Sequence, residues 1–247
     1  MTTHTMNNQV LITGASSGIG EQLAVEYAHS GWNVYACGQN KHRLDSLSSR
    51  HENIVSLCFN IVDLNETRSA LEGLCPLPDL IILNAGTCEY IENGQIDVAL
   101  VRRIYEVNVF GLLNSIEAVQ DRFTAMTHLV IVGSTASYVP LPRAEAYGSS
   151  KAAVAYIANT LSLDLADKGV TVSLVSPGFV KTPLTDKNDF PMPQLVTTQF
   201  AAAKIMKGIA RKQNEIYFPL TFSLLLKAIA LLPINLQIAI IKRMIRR

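Results

Sequence analysis

Short apolar runs alternate with longer stretches of helical periodicity along nearly the whole chain. QVLIT (9–13), NVYAC (33–37), IVSLCF (54–59), DLIIL (79–83), HLVIV (128–132) and VTVSLVS (170–176) read as strands. Between them, 18–30, 40–50, a segment capped by Asp63, a long region over 96–125 and 144–167 read as helices. Several of the strands are continuous Val, Ile and Leu runs rather than alternating ones. Such strands are buried on both faces, as in a parallel sheet covered by helices. Repeated strand–helix units predict an α/β fold, a single doubly wound parallel sheet with helices on both faces. No Pro/Gly-rich linker divides the chain. Residues 1–219 are expected to form one main body and 220–247 a C-terminal helical extension of the same domain.

Composition narrows the function classes. The 247 residues carry 21 Lys and Arg against 20 Asp and Glu, and 49% of them are hydrophobic. That balance supplies a core and lacks the basic excess of a nucleic-acid binder. Cys37, Cys58, Cys75 and Cys88 form no CxxC pair, and the five histidines show no metal-ligand spacing. Structural thiols in a reducing, cytoplasmic setting are expected. The opening MTTHTMNNQV is polar and has no signal-peptide core.

TGASSGIG (13–20) directly follows the first strand and opens a helix. Gly14, Gly18 and Gly20 allow a tight turn and close backbone approach to a pyrophosphate, with the anion on a helix N-terminus. An ordinary βα turn is the other reading of such a triplet. At the end of the second strand, where an acidic residue would bind a ribose 2′-hydroxyl, stand Gln39 and Asn40, then Lys41, His42 and Arg43. The absence of a carboxylate leans toward NADP over NAD. Asn40 as a simple helix cap with solvated basic neighbours is the alternative.

YGSSK (147–151) sets Tyr147 and Lys151 one helical turn apart on one face. A free phenol titrates near pH ~10 and is a poor base at neutrality. A neighbouring ammonium favours the phenolate, so the lysine is expected to lower the tyrosine pKa and fit it for proton transfer. Alone, the pair is also a common surface-helix pattern.

Taken in order, TGASSGIG, LNAG (83–86), VNVFG (107–111), GSTAS (133–137), YGSSK and SPGFVKT (176–182) make the chain resemble the short-chain dehydrogenase/reductase family. The resemblance spans roughly 9–182 and implies a Rossmann-type sheet and an NAD(P)-dependent oxidoreductase. Such an enzyme interconverts a carbonyl and a secondary alcohol. It implies Ser134 bonded to the substrate oxygen, Tyr147 passing the proton, and Lys151 tuning Tyr147 and holding the nicotinamide ribose. Asn108 would position a water that links Lys151 to solvent. Gly14, Ser16, Ser17, Gly18, Ile19 and Gly20 would surround the pyrophosphate, with Gln39 at the adenosine ribose. Asn60 and Ile61 would flank the adenine, and the Asn60 amide oxygen would accept from its amino group. Asn84, Ala85 and Gly86 would pass beside the adenine ribose. Pro177, Gly178, Val180 and Thr182 would touch the nicotinamide end. Two positions depart from the family pattern: Asn60 stands where Asp is frequent, and Gln39 where NADP users often carry Arg.

Beyond SPGFVKT, residues 183–200 are expected to form a short, partly apolar lid containing Phe190 and Met192. Tyr138, Val139, Pro140 and Leu141 are candidates for the opposite wall of a pocket for an apolar alcohol or ketone; ordinary packing is the other reading of both segments. The tail 220–247 is apolar with basic residues at its end, and Pro233 should split it into two helices. It either covers the domain or a subunit interface, or lies on a membrane surface. A homodimer or homotetramer follows from family habit. The rival functions are a nucleotide sensor or scaffold without catalysis, and a membrane-associated protein acting through its tail.

Overall fold

In the computed structural model, which describes residues 8–245, seven parallel strands form one sheet in the order β3-β2-β1-β4-β5-β6-β7. The strands are β1 (Gln9–Thr13), β2 (Asn33–Gly38), β3 (Ile54–Cys58), β4 (Leu80–Leu83), β5 (His128–Val132), β6 (Thr171–Pro177) and β7 (Glu215–Phe218). The six expected strands are all present. β7 is an addition; its short EIYF run carries too little apolar periodicity to stand out from sequence. Residues 1–7 and 246–247 lie outside the described residues, and with them most of the polar MTTHTMNNQV stretch and Arg246 and Arg247.

The helices are α1 (Gly18–His29), α2 (Lys41–Ser48), α3 (Leu64–Glu72), α4 (Val98–Tyr105), α5 (Gly111–Glu117), α6 (Glu145–Asp164), α7 (Thr198–Ala210), α8 (Leu220–Ala230) and α9 (Ile234–Ile245). Asn40 and Asp63 cap α2 and α3 through their side-chain oxygens, as their positions imply. The long helix expected over 96–125 is interrupted. A π-turn at Glu106–Phe110 separates α4 from α5, and a 3-10 turn follows at Gln120–Arg122. Pro233 does divide the tail, into α8 and α9.

Alternation along β1 shows how the sheet is sandwiched. Val10 and Ile12 pack with Leu23 and Tyr27 of α1, Leu44 of α2 and Ile205 of α7. Leu11, pointing the other way, packs with Leu71 of α3, Ile116 of α5 and Val154 of α6. The central strands β4 and β5 are buried throughout, which explains their unbroken apolar runs. The chain reverses its direction of travel across the sheet between β1 and β4, which are paired neighbours. A crevice opens beyond the carboxyl ends of strands at such a switch point, and ligands of open α/β sheets gather there.

Candidate active site

Thr13, the last residue of β1, ties the two sides of this crevice together. Its hydroxyl accepts from the backbone N–H of Asn84 at 3.0 Å and of Ala85 at 3.2 Å. The Asn84 amide donates back to the Thr13 and Gly14 carbonyls at 3.1 and 3.3 Å. Gly14 has φ +67°, and a Cβ there would stand 2.7 Å from the Ala85 Cα. Only glycine lets the two loops approach this closely in this conformation. Ser17 caps α1 in extended conformation without a side-chain hydrogen bond. The first-turn amides of α1 therefore keep their donors for an anion.

A cleft of about 750 Å³ runs over this crevice. Gly14, Ser16, Ser17, Gly18, Ile19, Gln39, Ile61, Asn84, Ala85 and Gly86 line it, as do Ser134, Tyr147, Lys151, Pro177, Gly178, Val180 and Thr182. The volume and the uncapped helix amides fit a dinucleotide, whose pyrophosphate those amides and the Ser16 and Ser17 hydroxyls would hold. Gly20, Asn60 and Asn108 do not line the cleft. Gly20 packs against the Gly14 carbonyl beneath the loop. The Asn60 amide oxygen is already an acceptor for the Val62 N–H at 3.0 Å and for the Gln39 amide. It is not free for an adenine amino group as expected; its side chain instead fixes Gln39.

Tyr147 and Lys151 come from α6, and Ser134 from the end of β5. Lys151 is buried, and its ammonium donates to the Val132 carbonyl at 3.0 Å. Gly86 makes room for it: a Cβ there would lie 3.3 Å from Lys151 Nζ and 3.2 Å from Asn108 Oδ1. Burial lowers the Lys151 pKa to about 8, against a small opposing pull from Cys88. Burial also pushes Tyr147 up to about 12, opposed by a hydrogen bond with Ser134. The expected lowering of the tyrosine by the lysine is thus absent in the protein alone. The ammonium stands 5.9 Å from the Tyr147 ring centroid and spends a donor on Val132, so desolvation of the phenolate dominates. Ser134 accepts from the Ala136 N–H at 3.1 Å, which orients its hydroxyl.

Asn108 sits in the π-turn, buried behind the cleft. Its amide donates to the Thr87 carbonyl at 2.9 Å and the Ser150 hydroxyl at 3.0 Å, and its oxygen accepts from the Thr87 N–H at 2.7 Å. Both amide hydrogens and one lone pair of the amide oxygen are therefore engaged by protein partners. Thr87 and Ser150 had no signal of their own, since Ser150 reads as a spacer inside YGSSK.

The expected substrate walls are not where the pattern put them. Tyr138, Val139 and Leu141 pack with Phe222, Leu226 and Ile229 of α8 and do not line the cleft. Phe190 and Met192 do not line the cleft either; Pro183, Leu184 and Thr185 do. Phe190 instead stands edge-on to Tyr90 and Phe179. The one glycine and four prolines of 176–193 hide this arrangement, because irregular backbone has no period to read.

A family model described as short chain dehydrogenase matches residues 8–191. An uncharacterized oxidoreductase of Myxococcus xanthus is 34% identical over 219 residues, covering 85% of this chain and 86% of that protein. Sulfoacetaldehyde reductase 2 of Chromohalobacter salexigens is 30% identical, covering 73% of this chain and 75% of its own. Among solved structures, a short-chain dehydrogenase from Sphingobium yanoikuyae in complex with NADPH has a TM-score of 0.79 at 26% identity, covering 86% of this chain and 88% of that one. With the ordered motifs and the switch-point cleft, these likenesses show that the chain belongs to the short-chain dehydrogenase family and is an NAD(P)-dependent oxidoreductase.

Proposed function

We propose that the chain interconverts an apolar carbonyl compound and its secondary alcohol, with NADP as the preferred cofactor. The observation that carries this reading is the convergence of Ser134, Tyr147 and Lys151 on the cleft that the glycine loop opens. A bound nicotinamide supplies or accepts the hydride. The Ser134 hydroxyl would hold the substrate oxygen. The Tyr147 hydroxyl, kept protonated by burial, would give a proton to that oxygen in reduction and take it back in oxidation. Lys151 would hold positive charge beside the developing oxyanion and bind the nicotinamide ribose. Asn108 would hold the Thr87 loop and α6 in register around them.

NADP is favoured because no carboxylate stands at the end of β2 and none in the first turn of α2. A carboxylate there would repel a 2′-phosphate. Gln39 is held by Asn60 and presents neutral groups, and Lys41 is held by Asp45 at 2.6 Å. An apolar substrate is favoured by Val180, Pro183 and Leu184 at the cleft wall. The Chromohalobacter relative's name denotes a reductase of an aldehyde, which supports carbonyl reduction though not an apolar substrate. Family habit and exposed Phe110, Leu113, Tyr156 and Leu163 on α5, its preceding π-turn and α6 support assembly as a homodimer or homotetramer.

The test is a fluorescence titration with NADPH and NADH, followed by a panel of aliphatic and aryl ketones. Tighter NADPH binding and turnover of apolar ketones are expected. Tighter NADH binding overturns the cofactor preference, and turnover confined to small charged carbonyls overturns the substrate class.

A further inference from the structure

The C-terminal hairpin carries a surface that nothing in the catalytic body uses. Eight of the seventeen large hydrophobic side chains exposed among the described residues fall within 220–244. Leu231, at the turn between α8 and α9, is 88% exposed, and Leu224, Leu225, Ile234 and Leu236 surround that turn in sequence, all exposed. In α9, among the residues with described side chains, Ile241 alone is buried. Monomeric proteins rarely present so much apolar surface in one short segment without a partner.

Charge is sorted along the same boundary. Residues 220–247 hold five of the 21 Lys and Arg and none of the 20 Asp and Glu, leaving the other 219 residues at net −4. Lys227 is spoken for: it pairs with Glu215 at 2.5 Å and stands 4.0 Å over the Tyr217 ring, pinning α8 to β7. Lys242 and Arg243 are exposed in the last turns of α9 and form no ion pair among the described residues. No described helix is long and apolar enough to cross a membrane. The 12 residues of α9 span only about 18 Å. Apolar side chains at a hairpin turn, cations on the same hairpin and no acidic residue to oppose them match a bilayer interface with anionic headgroups.

We propose that α8 and α9 form a docking surface for an anionic lipid bilayer. The apolar turn around Leu231 enters the headgroup–acyl boundary, while Lys242 and Arg243 meet the headgroup phosphates. The hairpin is also joined to the reaction cleft. A Cβ on the cleft residue Gly178 would lie 3.0 Å from Pro219 and 3.2 Å from Phe222, and the Phe179 and Phe222 rings are 5.9 Å apart. The start of α8 therefore abuts the cleft wall, at the opposite end of that helix from the Leu231 turn.

The experiment is co-sedimentation of the full chain with phosphatidylcholine vesicles, with and without a quarter phosphatidylglycerol, at low and high salt. Light scattering runs alongside without lipid. Leu231→Asp/Ile234→Asp and Lys242→Glu/Arg243→Glu are compared with the parent, each first shown to keep its melting temperature and its cofactor binding. The parent should pellet with anionic vesicles and be released by salt. The aspartate pair should abolish pelleting, and the charge reversal should weaken it by at least about 30-fold. Absence of pelleting by the folded parent overturns the proposal, as does equal pelleting on neutral and anionic vesicles. If the aspartate pair splits an oligomer and leaves vesicle binding untouched, the surface belongs to a second copy of the chain and the proposal falls. A failure of any of these leaves the cleft chemistry standing, since cofactor binding is read separately.

Discussion

Asn108 Nδ2 lies 3.0 Å from Ser150 Oγ, which in turn donates to the Tyr147 carbonyl at 2.7 Å. The π-turn of one helix is thereby linked to the helix that carries the tyrosine and lysine. π-turns of this kind recur at functional sites, where they redirect a side chain out of helical register. Replacing Asn108 by Ala leaves the Thr87 N–H and carbonyl without their partner inside the protein. Leaving buried polar groups unpaired costs about 1–3 kcal/mol each. Asn108→Ala should therefore lose roughly 2 kcal/mol in urea unfolding, and its kcat should fall further than its cofactor affinity. Ser150→Ala should show the same pattern more weakly. Unchanged kcat in both variants would remove the positioning role.

Tyr147→Phe removes one oxygen from a ring that is otherwise packed in place. Proton transfer by a positioned side chain contributes about 10²–10⁴-fold. Ketone turnover should drop by at least ~100-fold, while NADPH fluorescence titrates as before. A variant that keeps a tenth or more of parental kcat would show that another group passes the proton.

Lys151, lowered by burial to about 8, sets a pH limit. Below that pH the lysine is an ammonium; above it the charge is lost while Tyr147 remains a phenol. For ketone reduction, kcat/KM, which reports the free enzyme, should be flat below pH about 8 and decline above it. Lys151→Arg keeps its charge through this range and should abolish that alkaline limb, whatever its absolute rate. A parental profile flat to pH ~10, where an unperturbed lysine titrates, would contradict the depressed pKa.

The layers of the sheet and the glycine-loop crevice were legible in the sequence because apolar period and turn chemistry report them directly. The same is true of Asn40 and Asp63, whose caps follow from residue type and position. Contacts between distant segments left no such trace. Asn60 looked like an adenine ligand, yet Val62 and Gln39 occupy its oxygen. The lysine was expected to lower the tyrosine pKa from spacing alone. Spacing fixes which helix face two residues share, but not how much water each loses, and desolvation raises Tyr147 instead. Tyr138 and Val139 looked like pocket wall because they follow the GSTAS motif; α8, distant in sequence, covers them.

Arg143 gathers three loops near the cleft. Its guanidinium pairs with Asp189 at 2.6 Å and with Glu92, and stands 5.1 Å over the Tyr90 ring and 5.9 Å over Phe190. Tyr90 donates to Asn188 at 2.8 Å across the same gap. This cluster supports the segment that contributes Pro183, Leu184 and Thr185 to the cleft. Arg143→Ala should raise KM for the ketone several-fold with little change in kcat or in NADPH affinity. The carboxylate partners are largely exposed, so melting should move little. A drop in kcat with KM unchanged would place Arg143 in the chemistry instead.

His128 gives the fold its own acid sensitivity. The ring is buried at the start of β5, and its Nε2 lies 2.8 Å from Ser173 Oγ. Ser173 donates to the Gln213 carbonyl at 2.6 Å, so the imidazole must be the donor to Ser173 and carries its proton on Nε2. Burial, aided by the charge of Lys212, depresses the His128 pKa to about 4. An unfolded histidine titrates near 6.5. Between these values the unfolded chain binds a proton that the folded chain refuses, so stability rises with pH across the window and is lost as pH falls through it. The loss at pH 4 relative to neutrality is of the order of 3 kcal/mol for this group. His128→Gln retains a donor and cannot titrate. Urea unfolding from pH 7 to 4 should therefore show a shallower decline in the variant than in the parent, by about that amount. Parallel curves would mean that the parent imidazole takes up its proton without unfolding.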